Sequence, residues 1–346
     1  MTLGMLERIR LILRGGSVID WHRLGFEDAY DVRQFLRVNG VHWESPEDTN
    51  RVRDLLRTSA EYLQRELGLT VPEAIWRAEQ IESPFLIASE TDHPDQKEAC
   101  ILLKVMHTVN HMHARELRLA LSLPEVEVFS RVEDHVQRAL ATVKADGYPI
   151  FEVEGSRKTQ SSTVTKLLSK RRATAAQILD RLRFRVIVED RMDLPLVLAE
   201  LTRRLIPFNY VVPEETTNEL IDFASYARSL PHLAGELDRL QFALKLEAAD
   251  PLRPDINECS ADTFRMLNFV IDWPLRVRDV LERPSNAHLR HLGHLIFLNV
   301  EFQMFDRVTW EANEANTAAS HNAYKERQRD RVRARLFRGL EPHRLD

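Results

Sequence analysis

The sequence predicts a helical N-terminal domain, residues 1–125, followed by an α/β domain, residues 126–346. Apolar residues recur at helical spacing through about the first 120 residues, whereas several later segments alternate apolar and polar residues as strands do. The chain has 346 residues, of which 44% are hydrophobic and 29% charged. This composition is that of an ordinary globular protein long enough for two domains.

Helical periodicity in the N-terminal domain marks four segments, 29–38, 49–67, 71–80 and 96–121. Residues 14–17 contain a Gly-Gly pair but lack the Gly-Lys-Ser/Thr ending of a phosphate-binding loop, so we interpret them as a turn. His107, His111 and His113 share the last helix, and the first two have a spacing that metal ligands can have. No carboxylate signature accompanies them, and we predict no metal site there.

The domain boundary is predicted at 122–127, where Pro124 and acidic residues follow the long helix. A helix over 130–144 then leads to an apolar strand over 148–153, and Gly155 and Ser156 indicate a turn after it. Residues 213–255 form a polar segment with a helical pattern over 218–230 and a strand pattern over 240–246.

Three polar residues, Lys158, Ser162 and Lys166, follow at successive intervals of four. Residues four apart lie on one face of a helix, so a helix here would carry a ladder of cations and a hydroxyl. A basic run over 170–172 suits the C-terminus of that helix. Such a ladder can bind a triphosphate, and the alternative is that both lysines are solvated surface charges.

Asp180 comes before a strand pattern that reaches residue 188. Alternation from 181 to 186 places apolar residues on one face and three arginines, including Arg185, on the other. Three arginines on one face require anions or solvent. Asp180 is a candidate metal ligand, and the alternative is a helix or turn cap.

Two further strands are predicted, over 263–277 and 292–306. The second strand carries Glu301 and Gln303 in an otherwise apolar run. Burying an unpaired glutamate costs several kcal/mol, so Glu301 is predicted to be paired or metal-bound. The alternative is that this face is solvated.

These four blocks resemble the synthetase domain of RelA/SpoT homologues, which transfers pyrophosphate from ATP to the 3′-hydroxyl of GDP or GTP. The resemblance covers residues 148–325. It is carried by the Lys158, Ser162, Lys166 spacing, by Asp180 with Arg185 five residues later, by Glu301-Phe302-Gln303, and by His321-Asn322-Ala323-Tyr324-Lys325. It implies a nucleotidyltransferase-like mixed sheet of about five strands flanked by helices.

The resemblance also implies roles for individual residues. Asp180 and Glu301 would be catalytic and would hold Mg²⁺ as the cofactor, with Glu301 also the candidate general base. ATP would be bound by Arg157, Lys158, Ser162, Lys166 and Arg185. The acceptor, a guanine nucleotide, would be bound by Phe264, Arg265, Asn268, Gln303, His321, Tyr324 and Lys325.

The sequence departs from the family pattern at one position on the ATP side and at several on the acceptor side. Ser156 stands where the family has an arginine, with Arg157 adjacent. Phe264 and Asn268 stand where it has tyrosine and histidine, and the Arg-Thr pair after Gln303 is replaced. Another acceptor, such as tRNA, and a catalytically degenerate nucleotide-binding module therefore remain alternatives.

The basic segment over 324–338 is interpreted as a solvated helix or as a contact for tRNA or the ribosome. A net charge of −5 argues against attraction of the whole protein to nucleic acid. With two cysteines, no signal peptide at its start and no apolar stretch of membrane-spanning length, the sequence predicts a cytoplasmic location. It does not indicate an oligomeric state.

Overall fold

The computed structural model describes residues 1–14, 21–169, 181–233, 264–315 and 321–337. The N-terminal part is helical as predicted. Its helices are α1 Leu3–Arg14, α2 Ala29–Val38, α3 Pro46–Leu67, α4 Glu73–Trp76, α5 Ser83–Ser89, α6 Gln96–Ala120 and α7 Glu125–Ala145. The side chains of Asp28 and Ser45 cap α2 and α3, and Gly68 ends α3 in the left-handed conformation.

The second part contains a five-stranded mixed sheet, which confirms the predicted fold class. Its strands are β1 Ile150–Arg157, β2 Leu182–Val188, β3 Thr217–Asn218, β4 Leu267–Arg276 and β5 Leu295–Asp306. Their order is β1-β2-β5-β4-β3, in which β2 and β5 are parallel and the other pairs antiparallel. The helices in this part are α8 Gln160–Ser169, α9 Asp193–Arg204, α10 Phe223–Arg228, α11 Arg278–Leu281, α12 Arg307–Ala315 and α13 His321–Leu336.

One face of the sheet is apolar and buried along the central strands β2, β5 and β4. Leu182, Phe184 and Val186 lie on this face with no exposed surface, as their alternation predicted. The α7 helix covers it, since Gly155 lies against α7 side chains and Trp273 meets His135 of α7 edge-on at 5.9 Å. The opposite face is therefore the one that carries the polar residues of β2 and β5.

The N-terminal helices and the sheet share one continuous hydrophobic core. The α6 helix packs on β5, and α1 and α2 pack on α9. The division at residue 125 remains a prediction. None of the helices in the described ranges is both long and apolar enough to cross a membrane.

Four local expectations are wrong. Gly155 and Ser156 belong to β1 rather than to a turn, because they pair with Phe184 and Arg183 of β2 and this pairing extends the strand. Lys158 precedes α8 instead of lying in it, and its backbone N–H donates to the Arg181 carbonyl at 2.9 Å. The helices expected over 71–80 and 218–230 are reduced to α4 and α10. The strand expected over 240–246 lies outside the described residues.

Candidate functional site

A group of charged and amide side chains crosses the polar face of the sheet. We call Glu154, Arg183, Arg185, Glu301 and Gln303 the polar strip. The strand register places Arg183 beside Glu301, Arg185 beside Gln303, and Glu154 beside Arg185. Neighbours in register lie on the same face, so three strands contribute to one surface.

Glu301 is the most enclosed carboxylate of the polar strip. Its side chain is 9% exposed, and Arg183 Nε lies 2.5 Å from its Oε2. Gln303 Nε2 donates to its Oε1 at 3.3 Å. The expectation that Glu301 is paired is therefore confirmed, and the solvated alternative is wrong.

Arg185 connects the second half of the polar strip. Its Nε donates to Gln303 Oε1 at 3.2 Å, and its guanidinium lies 3.3 Å from Glu154 and 3.8 Å from Glu314 of α12. Carboxylates on either side thus balance the charge of this arginine. Arg183 and Arg185 thus have anionic partners, as the sequence required. The expectation for Arg181 is wrong, because it precedes β2 and pairs with Glu125 of α7.

The predicted triphosphate residues follow β1 directly. Thr159 Oγ1 accepts from the Ser162 backbone N–H at 3.3 Å and donates to Ser162 Oγ at 3.0 Å, so these residues form the start of α8. Lys166 belongs to the same helix. Lys158 is half-buried in the loop between β1 and α8. Ser162 and Lys166 therefore share one helix as predicted, and Lys158 stands before its first turn.

Arg157 lies on the other side of the sheet from Glu301. Its guanidinium donates to Glu133 at 2.9 and 2.5 Å and to Ser130 at 3.0 Å, and both partners are on α7. The structure does not bring Arg157 together with the polar strip. Its role in ATP binding remains a prediction.

The predicted acceptor residues gather at one end of β4. Asn268 pairs in register with Gln303. Phe264, just before the strand, meets Phe305 edge-on with ring centroids 6.2 Å apart. The Arg265 backbone bonds Asn313 of α12, and its guanidinium lies 3.7 Å from Glu219.

The C-terminal motif lies on α13, which packs against α8. Lys325 is half-buried on this helix. The side chains of His321 and Tyr324, like residue Asp180, lie outside the described part of the structure.

A second polar cluster on the same face was missed by sequence reasoning. His111 Nε2 of α6 lies 2.7 Å from Asp272 Oδ2 of β4, and Asn299 Nδ2 of β5 donates to Asp272 Oδ1 at 2.6 Å. The strand alternation could have indicated Asp272 and Asn299. Their partner on α6 could not be identified, because it is 161 residues away in the sequence from Asp272.

The three histidines of α6 have different contacts, although His107 and His111 both stack on Tyr210. His107 stacks on Tyr210 with ring centroids 4.5 Å apart, and burial, followed by the nearby His111, lowers its pKa to about 3. His113 Nδ1 lies 2.8 Å from Arg51 Nη2. Within the described ranges, no three His, Cys, Asp or Glu side chains are grouped in a way that could hold a metal ion.

The donor set of the polar strip is compatible with a hard divalent cation. A carboxylate offers about four lone-pair positions, and Glu301 uses two of them for Arg183 and Gln303. Carboxylate oxygen is the ligand type that Mg²⁺ prefers. Glu301 can therefore supply one ligand, and Asp180 is the second carboxylate that the sequence predicts.

Arg183 and Glu154 were not among the predicted site residues. Arg183 was recognised only as one of three arginines on a strand face. Its importance follows from the parallel pairing of β2 with β5, which sets it beside Glu301. The sequence feature that could have identified Arg183 is its position two residues before Arg185 on an alternating strand, which places both side chains on one face.

Comparison with solved structures finds alarmone synthetases and pyrophosphokinases. The chain is similar to small alarmone synthetase 1 from Bacillus subtilis, with 12% identity and a TM-score of 0.31 over 61% of this chain and 85% of that one. Small alarmone synthetase 2 from the same organism has 14% identity and a TM-score of 0.33 over 62% and 91%. A GTP pyrophosphokinase family protein from Streptococcus pneumoniae has 12% identity and a TM-score of 0.32 over 62% and 84%.

No protein-family model and no curated protein matches the chain. A likeness of this size does not assign substrates or residue roles.

Proposed function

We propose that this chain transfers a pyrophosphoryl group from ATP to a hydroxyl of a guanine nucleotide, with the polar strip as its catalytic surface. The observation that supports this most is the placement of Glu301 beside Arg183, Gln303 and Arg185 on adjacent strands. Phosphoryl-type transfer depends mainly on positioned cations and carboxylates that hold the phosphates in line. A sheet provides a rigid base for such groups.

In the proposed reaction, the acceptor oxygen attacks the β-phosphorus of ATP. The bond from that phosphorus to the oxygen it shares with the α-phosphate breaks, and AMP leaves. Glu301 accepts the proton of the attacking hydroxyl as general base. Bound Mg²⁺, held by Asp180 and Glu301, would neutralise phosphate charge.

The donor phosphates are assigned to Lys158, Ser162 and Lys166, which follow β1, and to Arg185. Arg183 joins this group as a new assignment. In the structure its charge is balanced by Glu301 at 2.5 Å. When substrates engage Glu301, Arg183 is released toward the triphosphate, because an arginine needs a new anionic partner once its carboxylate is taken. Arg157 could join only by leaving Glu133.

The acceptor is assigned to the end of β4. Phe264 offers an aromatic face that can stack on a base, an interaction worth about 1–3 kcal/mol. Asn268 and Gln303 lie beside it in register. Arg265, His321, Tyr324 and Lys325 complete the predicted acceptor set.

Two alternatives have an observation of their own. Exposed arginines at positions 329, 331 and 333 of α13 favour tRNA as the acceptor. The direct ion pair between Arg183 and Glu301 favours a degenerate module, in which the pair never opens.

One labelling experiment separates these functions. The purified chain is incubated with Mg²⁺ and γ-labelled ATP, with GDP, GTP or bulk tRNA in turn, and label on the acceptor is measured. Label on GDP or GTP supports the proposal, label on tRNA supports the second function, and ATP binding without transfer supports the degenerate module. α-Labelled ATP, which should give no labelled acceptor, distinguishes pyrophosphoryl from nucleotidyl transfer.

Two substitutions test whether Glu301 and Asp180 belong to the proposed site. Glu301→Gln and Asp180→Asn should each abolish transfer. Glu311→Gln is the matched control, because Glu311 lies on the exposed side of α12 and its ion-pair partner among the described residues is Arg307. Full activity in either of the first two variants would refute the assignment.

A further inference from the structure

A second candidate site lies away from the polar strip, among the N-terminal helices. It is a cavity of about 50 Å³ between α2, α3, α6 and the segment 292–295 that leads into β5. Its walls are largely apolar and include Phe35, Leu55, Phe85 and Met106. Since one water molecule needs about 10–15 Å³, this space holds about four waters or one compact organic molecule.

Three enclosed polar atoms of cavity-lining residues have no hydrogen-bond partner among the described residues. They are the indole Nε1 of Trp21, the amide Oδ1 of Asn209 and the ring Nε2 of His294, on side chains that are at least nine-tenths buried. His294 Nε2 lies 3.2 Å from Asp48 Oδ1. The orientation of Asn209 is fixed by its neighbours. Asn39 Nδ2 donates to the Phe35 carbonyl at 2.8 Å, so Asn39 Oδ1 is the atom that accepts from Asn209 Nδ2 at 2.7 Å. The cavity wall therefore carries one donor at Trp21 and one acceptor at Asn209 that lack partners among the described residues, and a histidine nitrogen that lies beside Asp48.

The charges around the cavity favour an anion. Arg51 donates to the carbonyls of His291 and Leu292 at 3.2 and 3.0 Å and contacts His113, but no carboxylate of the described residues lies within ion-pair distance of it. Asp48, the cavity's carboxylate, is already paired with Arg276 and accepts the His42 backbone N–H. Arg51 is half-buried and has no carboxylate partner among the described residues, so it is the group of this wall that an anion would best complement.

We propose that this cavity binds a small hydroxy-carboxylate of about the size of lactate. The carboxylate would lie beside Arg51 and accept from Trp21 Nε1, and the hydroxyl would donate to Asn209 Oδ1. The carbon body would contact the apolar wall. A hydroxyl fits better than an ammonium group, because an ammonium needs a carboxylate partner and the oxygens of Asp48 are occupied.

The test uses the full chain and four probes of similar size. Lactate carries both groups, propionate lacks the hydroxyl, lactamide lacks the charge, and alanine replaces the hydroxyl by an ammonium. Binding is measured by calorimetry and by the shift in Tm. Lactate is expected to bind about tenfold or more tightly than each of the others, because each lacks or mismatches one charged or polar contact.

Variants localise the binding. Trp21→Phe keeps the ring and removes the N–H, and it should weaken lactate binding about tenfold or more. Trp310→Phe is the matched control, because the Trp310 indole is also enclosed without a partner among the described residues but lies on α12, outside the cavity. Arg51→Gln should abolish the preference for lactate over lactamide.

Several results would overturn the proposal. They are equal binding of lactate and lactamide, tighter binding of alanine, lactate binding that Trp21→Phe leaves unchanged, and no binding of any probe, which would leave the cavity to water alone. Hydrogen exchange at 292–295 provides a second measurement, since an occupant should slow exchange there. These readouts measure binding at the cavity, so they are independent of whether the polar strip transfers pyrophosphate.

Discussion

The ion pair between Arg183 and Glu301 gives the sharpest test of the polar strip. The perturbation is a double-mutant cycle of Arg183→Ala, Glu301→Gln and the double variant, with the free energy of unfolding measured in urea. Two charges about 4 Å apart attract by about 4 kcal/mol at an effective dielectric constant of about 20. Because the Arg183 side chain is 24% exposed and that of Glu301 9%, solvent reduces this, and we expect a coupling energy of about 2 kcal/mol.

A matched cycle on Arg307→Ala and Glu311→Gln provides the control. That pair is separated by 2.9 Å, but each side chain is about half exposed, so a coupling of about 0.3–0.5 kcal/mol is expected. If the Arg183–Glu301 coupling were no larger than this control, the polar strip would not be the preorganised surface that the proposed function requires.

The same variants test how Arg183 acts in transfer. If Arg183 binds the triphosphate after leaving Glu301, Arg183→Ala should lower kcat/KM for ATP by about tenfold to a hundredfold, the value of one charge-assisted hydrogen bond. Arg183→Lys should lose less, since it keeps the charge. An increase in transfer by Arg183→Ala would instead show that the arginine blocks Glu301.

Three further outcomes are expected. Burial lowers the pKa of His107 to about 3. Below about pH 6.5 the unfolded state therefore takes up a proton at this histidine, while the folded state keeps it neutral. As the pH falls from about 6.5 to about 3, the free energy of unfolding should decrease by up to about 1.4 kcal/mol per pH unit. His107→Phe, followed by urea titration from pH 7 to pH 5, should reduce that slope, and an unchanged slope would contradict the assignment. Burial raises the pKa of Asp48, but hydrogen bonds from Arg276 and the His42 backbone outweigh burial, and the net pKa is lowered. The ionised Asp48 therefore stabilises the fold at neutral pH, and this stabilisation is lost as the pH falls through the pKa of the folded state. Asp48→Asn should reduce the free energy of unfolding by about 3 kcal/mol at pH 7 and by less in acid. Changing the arginines at 329, 331 and 333 to Gln should leave GDP labelling unchanged, and a selective loss of tRNA labelling would support the alternative acceptor.

Much of the local structure follows from the sequence. The alternation of Leu182, Phe184 and Val186 with arginines predicted both the strand and its buried face, because successive side chains of a strand point to opposite sides. The α2 helix spans the residues 29–38 that its periodicity predicted, and the structure shows that the Asp28 side chain caps it. The expectation that Glu301 is paired was confirmed because a buried carboxylate requires a partner.

The partners themselves were decided by the tertiary structure. Arg183 meets Glu301 across 118 residues of sequence, and His111 meets Asp272 across 161. Strand pairing and register depend on which apolar faces are buried together, and a local pattern does not contain that information. Tertiary packing also decides that β1 continues past Gly155 and that Arg157 contacts α7. It places Trp21 and Arg51 in the wall of a cavity that no motif in the sequence predicts.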